Sequence, residues 1–173
     1  MKKIKEVATL LLVLVLLLCT ISSTAIANDS NRNSDVSNNT EEVVAFCILV
    51  FSEHGNQHVF YNYEDYEEYL EATPSRGIPN AVRVRLVKID SNNVKFVVEN
   101  IGIDTLDGFQ GRVTVYANGL AQVSRWIEEL NILPMATRTT SLYCLNWASA
   151  TGSNMYAWDG PDSGTISSIV LYS

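Results

Sequence analysis

AVRVRLVKIDSNNVKFVVE, residues 81–99, is the stretch that decides the fold class. Val82, Val84 and Leu86 alternate with Arg83 and Arg85, and Val94, Phe96 and Val98 alternate with Lys95 and Glu99. A period of two puts every second side chain on one face, the pattern of a strand with one apolar and one polar side. Asp90-Ser91-Asn92-Asn93 between the two runs has turn composition, so the stretch predicts an antiparallel hairpin. The alternation slips at Leu86-Val87 before Ile89, which predicts a β-bulge there.

The same reading extends in both directions. Val113, Val115 and Ala117 make a strand ended by Asn118-Gly119, a two-residue hairpin signal, and Leu120 to Ile127 returns. Thr137 to Trp147 and Thr165 to Tyr172 follow as strands. Toward the N-terminus, Val43 to Phe51 is continuously apolar, as expected of a strand covered on both faces. Ser52 to His58 has turn composition, and Val59 to Tyr63 adds a strand. Glu64 to Ala72 reads as a short helix, with Tyr66, Tyr69 and Leu70 on one face at i, i+3 and i+4 spacing. Pro74, Gly77 and Pro79 end it. About 6–8 short strands and one helix near residues 64–72 predict an all-β antiparallel sandwich over residues 41–173.

Ahead of this domain, Lys2, Lys3 and Lys5 precede an apolar run from Val7 to about Ile21, and the next residues end in Ala25-Ile26-Ala27. That tripartite pattern predicts an export signal over residues 1–27, cleaved after Ala27. The run is shorter than a membrane span needs, so no span is expected after cleavage. Cys19 follows Leu18, which is not the small residue that lipid attachment favours, so cleavage is preferred over lipidation. Asn28 to Thr40 is almost wholly Asn, Ser and Asp and reads as a disordered leader.

Cleavage leaves 146 of the 173 residues, with 9 basic against 18 acidic side chains and a charge of −9. That sign argues against nucleic acid and anionic membrane surfaces as partners. Cys47 and Cys144 remain, both in apolar strand-like runs, and an exported compartment permits the bridge that the sequence predicts between them.

Val98-Glu99-Asn100-Ile101-Gly102, Arg112-Val113-Thr114-Val115-Tyr116, Asn118-Gly119 and Leu133-Pro134 are followed by a Thr-rich strand ending at Trp147. Over residues 94–147 this resembles the bacterial cell-adhesion-related CARDB module and its Ig-like and fibronectin-III-like relatives. The resemblance implies an Ig-like seven-stranded sandwich of the adhesion or spacer kind, with no catalytic residues in common. Met135 stands where such modules carry glycine after Leu-Pro, so that corner is expected to turn differently or to use another residue. Leu142, not tyrosine, lies two residues before Cys144, which departs from antibody domains.

The most unusual segment runs from Phe60 to Tyr69. Tyr61, Tyr63, Tyr66 and Tyr69 are interleaved with Glu64, Asp65, Glu67 and Glu68, and no Lys or Arg occurs between Arg32 and Arg76. Tyrosine rings beside carboxylates can stack on sugar faces, or receive Lys and Arg from a protein. These eight residues are the candidate binding surface, although the same tyrosines would serve to pack the helix. Asp162-Ser163-Gly164, with His54 or His58 upstream, echoes a serine hydrolase in chain order, but the turn composition is the simpler account. Gly55 and Asn56 argue against helical spacing of His54 and His58 as metal ligands. Asn100, Asp104 and Asp107 in one loop, with Asp159 and Asp162 in another, offer oxygens that suit calcium without EF-hand spacing. Trp126, Trp147 and Trp158 could form a ligand platform, but large aromatics in a sandwich more often fill the core, and that is where they are expected.

The expectation is a secreted, non-catalytic binding or accessory module, at the cell surface or free, that recognises an extracellular protein or glycan and uses no cofactor. A small secreted hydrolase built on Ser163 and a secreted inhibitor or immunity-type protein are the alternatives.

Overall fold

A computed structural model describes residues 44–52, 56–73 and 80–173. The expected export signal and leader, and residues 41–43, 53–55 and 74–79, lie outside the described residues.

The chain is an all-β sandwich of nine described strands and one short helix. The strands are β1 (Val44–Ser52), β2 (Asn56–Phe60), β3 (Asn80–Lys88), β4 (Asn93–Asn100), β5 (Leu106–Ala117), β6 (Leu120–Ile132), β7 (Thr137–Tyr143), β8 (Ser149–Asp159) and β9 (Asp162–Tyr172). Helix α1 (Tyr63–Ala72) lies between β2 and β3. One sheet has the order β2-β1-β3-β4-β7 and the other β6-β5-β8-β9, with antiparallel neighbours throughout.

The core lies between the sheets. Cys47, Leu49, Phe51, Val82, Val84, Leu86, Phe96 and Val98 of the first sheet meet Phe109, Val113, Val115, Met155, Ile166 and Ile169 of the second. Phe96 and Phe109 meet across the gap with centroids 6.0 Å apart. A second, smaller cluster of Ile48, Val50 and Ala81 faces outward from the five-stranded sheet and is covered by Phe60, Tyr66 and Tyr69. The apolar run of β1 therefore has the expected cause, because both of its faces are buried.

That two-sided burial also removes the bulge expected at Leu86-Val87. β3 stays in unbroken register with β4 from Val82 opposite Asn100 to Lys88 opposite Val94. Leu86 is buried in the core and Val87 on the opposite face, so two adjacent apolar residues need no phase slip.

The Cys47–Cys144 bridge does not form, and both residues are buried free thiols. Cys47 opposes Val84, Val84 opposes Val98, and Val98 opposes Arg138, six residues before Cys144. Three strand steps of about 4.8 Å and six residues of about 3.3 Å separate the two cysteines. A bridge needs Cα atoms within about 7 Å. Burial pushes the Cys47 thiol up to about 12, so it stays protonated and inert. Thermal unfolding of the purified chain should be the same with and without reductant, and a thiol reagent should label Cys47 only after unfolding. A fall in melting temperature on reduction would contradict the register.

Met135 takes the left-handed backbone of the missing glycine itself, at φ 59. Its N–H donates to the Asn100 carbonyl (2.9 Å), and the Ala136 N–H closes the corner on the Leu133 carbonyl (3.0 Å). The corner thus turns as glycine would turn it, at a backbone cost of about 1–2 kcal/mol.

Candidate functional site

The acidic tyrosine segment forms α1, and the helix divides its side chains by chemistry. Asn62 is the N-cap, its side-chain oxygen accepting the Asp65 N–H (2.8 Å) while its amide donates to the Asp65 carboxylate (2.8 Å). Tyr66 and Tyr69 turn toward the sheet. Tyr66 lies 5.7 Å from Phe60, and Tyr69 lies 5.3 Å from Phe60 and 4.9 Å from His58, centroid to centroid. Burial pushes the Tyr66 phenol up. Tyr63 stacks on Phe46 (4.6 Å), and its hydroxyl accepts from Arg83, which is also bonded to Glu99. Glu64, Asp65, Glu67, Glu68 and Glu71 remain at the surface with Tyr61. Tyr66 and Tyr69 are therefore spent on holding the helix to β1 and β2, and of the four tyrosines Tyr61 and Tyr63 remain exposed with the carboxylates.

The outer face of the four-stranded sheet is different, since no described sheet or helix packs across it; only Gln57 of β2 reaches its β9 edge, at Thr165. Register places four strands in rows there: Glu128, Gln110, Tyr156 and Thr165, and beside them Leu130, Gly108, Trp158 and Ser163. Trp126, Arg112, Ser153 and Ser168 form a further row. Tyr156 and Trp158 stack with centroids 5.6 Å apart and planes 24° from parallel. Trp158 leans across β5, where a Cβ on Gly108 would lie 2.1 Å from its ring; glycine makes room for the indole. Trp126 is 48% exposed on the edge strand. The expectation that the tryptophans fill the core holds only for Trp147, whose indole N–H donates to the Asp90 carbonyl (2.8 Å). Trp126 and Trp158 lie outside it, where they share a surface with hydroxyls, an amide, a guanidinium and a carboxylate.

The acidic loops meet at one end of the sandwich. The Gly160 N–H donates to the Asp107 carboxylate (2.8 Å), and the Asn80 amide to Asp159 (2.7 Å). Partial burial and the carboxylates of Asp107, Asp104 and Asp162 push the Asp159 carboxyl up, against the pull of the Asn80 bond. Asn100 is committed elsewhere: its amide donates to the Asp104 and Ile132 carbonyls and its oxygen accepts the Gly102 N–H. Among the described residues no group of three or more His, Cys, Asp and Glu side chains is arranged to hold a metal ion.

His58 and Ser163 do not meet. His58 opposes Val50 on the outward face of the five-stranded sheet, whereas Ser163 opposes Trp158 on the outer face of the other sheet. Asp162-Ser163-Gly164 is the start of β9 rather than a turn; the turn is made by Gly160, at φ 55, and Pro161.

Comparison with known protein families, curated proteins and solved structures finds no match to this chain.

Proposed function

We propose that the chain is exported, cleaved after Ala27, and acts outside the cytoplasm as a non-catalytic binding module for a neutral glycan. Its recognition surface in this reading is the outer face of the four-stranded sheet. One observation carries the assignment: the stacked Tyr156–Trp158 pair, seated over Gly108 and flanked by Trp126, on a face otherwise made of hydrogen-bonding side chains. Sugar rings offer apolar C–H faces and peripheral hydroxyls. Aromatic rings satisfy the first, and Gln110, Glu128, Ser163 and Thr165 the second. A mature charge of −9 disfavours anionic polymers and leaves neutral polysaccharides as the better partners.

The strand order supports the resemblance to Ig-like modules. With β3, β4 and β7 as strands A, B and E, and β5, β8 and β9 as C, F and G, β6 takes the place of C′. β1, β2 and α1 are then an N-terminal addition to the edge of strand A. This lies against the five-stranded sheet and leaves the other face free.

Co-sedimentation of the purified chain with insoluble neutral polysaccharides and bacterial envelopes tests the proposal. Binding should fall about tenfold for each ring removed in Tyr156→Ala and Trp158→Ala, and should persist in Tyr61→Ala. No sedimentation above a control protein, or equal binding by the Tyr156→Ala/Trp158→Ala variant, overturns it. Loss of binding in Tyr61→Ala alone would move recognition to the acidic helix.

A further inference from the structure

β6 is one edge of the four-stranded sheet, and at 13 residues it is the longest of the described strands. Its other side pairs with no described strand. A long edge with free N–H and C=O groups is a template for another strand unless it is blunted. Blunting takes the form of bulges, prolines or charged side chains, including inward-pointing ones, and β6 carries Arg125 and Glu129 on its core-facing side, opposite Val113 and Phe109. β6 has no proline. Its irregularities fall only at the ends: Gln122 is extra where Val115 opposes Val123 and Tyr116 opposes Ala121, and Asn131 turns left-handed at φ 50. The regular run between them is Val123–Leu130.

The charges in that run match a second copy of themselves. A two-fold axis perpendicular to the sheet must pass through a residue, because paired side chains have to lie on the same face. Centred on Arg125 or Glu128, the axis sets like charges against each other. Centred on Trp126, it leaves Arg125 opposite Ile127. Centred on Ile127, it pairs Arg125 with Glu129 of the other copy, and Glu129 with its Arg125. Trp126 then meets Glu128, and Ile127 meets itself. Glu129 has only a long intramolecular contact to compete, 3.7 Å to Arg138, with both side chains partly exposed.

We propose that this chain forms a two-fold dimer by antiparallel pairing of β6 with β6, in the register centred on Ile127. The two four-stranded sheets join into one eight-stranded sheet, and their outer faces lie side by side. Trp126, which is 48% exposed in the single chain, gains Glu128 of the other copy as a neighbour at the junction and stays on the outer face. This proposal does not depend on what the outer face binds.

Sedimentation velocity of the purified chain, with charge reversal on β6, is the test. The wild-type chain should sediment as a dimer. Arg125→Glu and Glu129→Arg should each weaken dimerisation about tenfold or more, since either change places two like-charged pairs across the axis. The Arg125→Glu/Glu129→Arg variant restores both pairs with the signs exchanged, and should restore the dimer. All three variants alter surface side chains, and circular dichroism should match the wild type. A monomer at all accessible concentrations overturns the proposal. So does a dimer indifferent to the single reversals, or one that the double reversal fails to rescue.

Discussion

Replacing Phe96 with alanine should lower the free energy of unfolding by about 3–5 kcal/mol, the range of the costliest core truncations. Phe96 is 1% exposed, projects from β4 into the space between the sheets, and meets Phe109 with centroids 6.0 Å apart. Its ring also reaches β8: a Cβ on Gly152 would lie 3.3 Å from Phe96 Cε2, beside Ile169 and Met155 at similar distances. Truncation removes apolar burial and opens a cavity bordered by glycine, which has no side chain to fill it. Urea unfolding of Phe96→Ala, Gly152→Ala and the double variant would measure the pair. Gly152→Ala should be tolerated better in the Phe96→Ala background, because the crowding methyl then occupies vacated volume. A cost below about 1 kcal/mol for Phe96→Ala, or strict additivity, would mean the two sheets do not face each other through this ring.

Asn100→Ala should cost about 3 kcal/mol although it removes no apolar surface. The Asn100 side chain is 2% exposed and makes three hydrogen bonds at the end of the sandwich. Its amide holds the Asp104 and Ile132 carbonyls at 2.7 and 2.8 Å, and its oxygen holds the Gly102 N–H at 3.0 Å. Alanine takes the partner from the Asp104 and Ile132 carbonyls and leaves the Gly102 N–H only its longer bond to the Ala81 carbonyl (3.2 Å), each loss worth roughly 1 kcal/mol or more when water cannot replace it. The damage should be local as well as global, since these bonds pin the β4–β5 loop to the end of β6. Hydrogen exchange at Gly102 should accelerate in the variant beyond what its lower global stability explains. Unchanged stability would show that water reaches this end of the domain.

Much of the fold was legible because local chemistry and tertiary environment agreed. The 81–99 hairpin alternated on both sides of its turn apart from the slip at Leu86-Val87, and the structure pairs Lys88 with Val94 across it. Asn118-Gly119 turned as expected, with φ of 53 and 74. The helix was marked by its tyrosine spacing, and it begins at Tyr63, behind the Asn62 cap. β8 gave no comparable signal. Its core-facing residues include Ala150, Gly152 and Ala157, which are small because Phe96, Phe109 and their neighbours fill the space opposite. The break of register near Asn154 erases what alternation remained. β5 began earlier than the pattern allowed for the same reason, with Gly108 and Gly111 facing bulky side chains of β8.

The candidate site was less legible. The tyrosine-rich segment stood out by composition, yet composition cannot distinguish rings that hold a helix in place from rings that meet a ligand. The tryptophans were open to a platform reading, but nothing near Trp126 or Trp158 separates a surface indole from a core one, and Tyr156 joins them only through the pairing of β8 with β5.

By itself the sequence determined the all-β class, the hairpins, the helix and the two-sided burial of β1, because each depends on side-chain periodicity and turn chemistry within a few residues. Which cysteines approach, which tryptophans leave the core, and which four strands build the open face were decided only by tertiary structure. Those outcomes depend on strand order and register, set by packing across the whole domain: one residue of slip exchanges a strand's two faces, and one strand of displacement moves a side chain by about 4.8 Å.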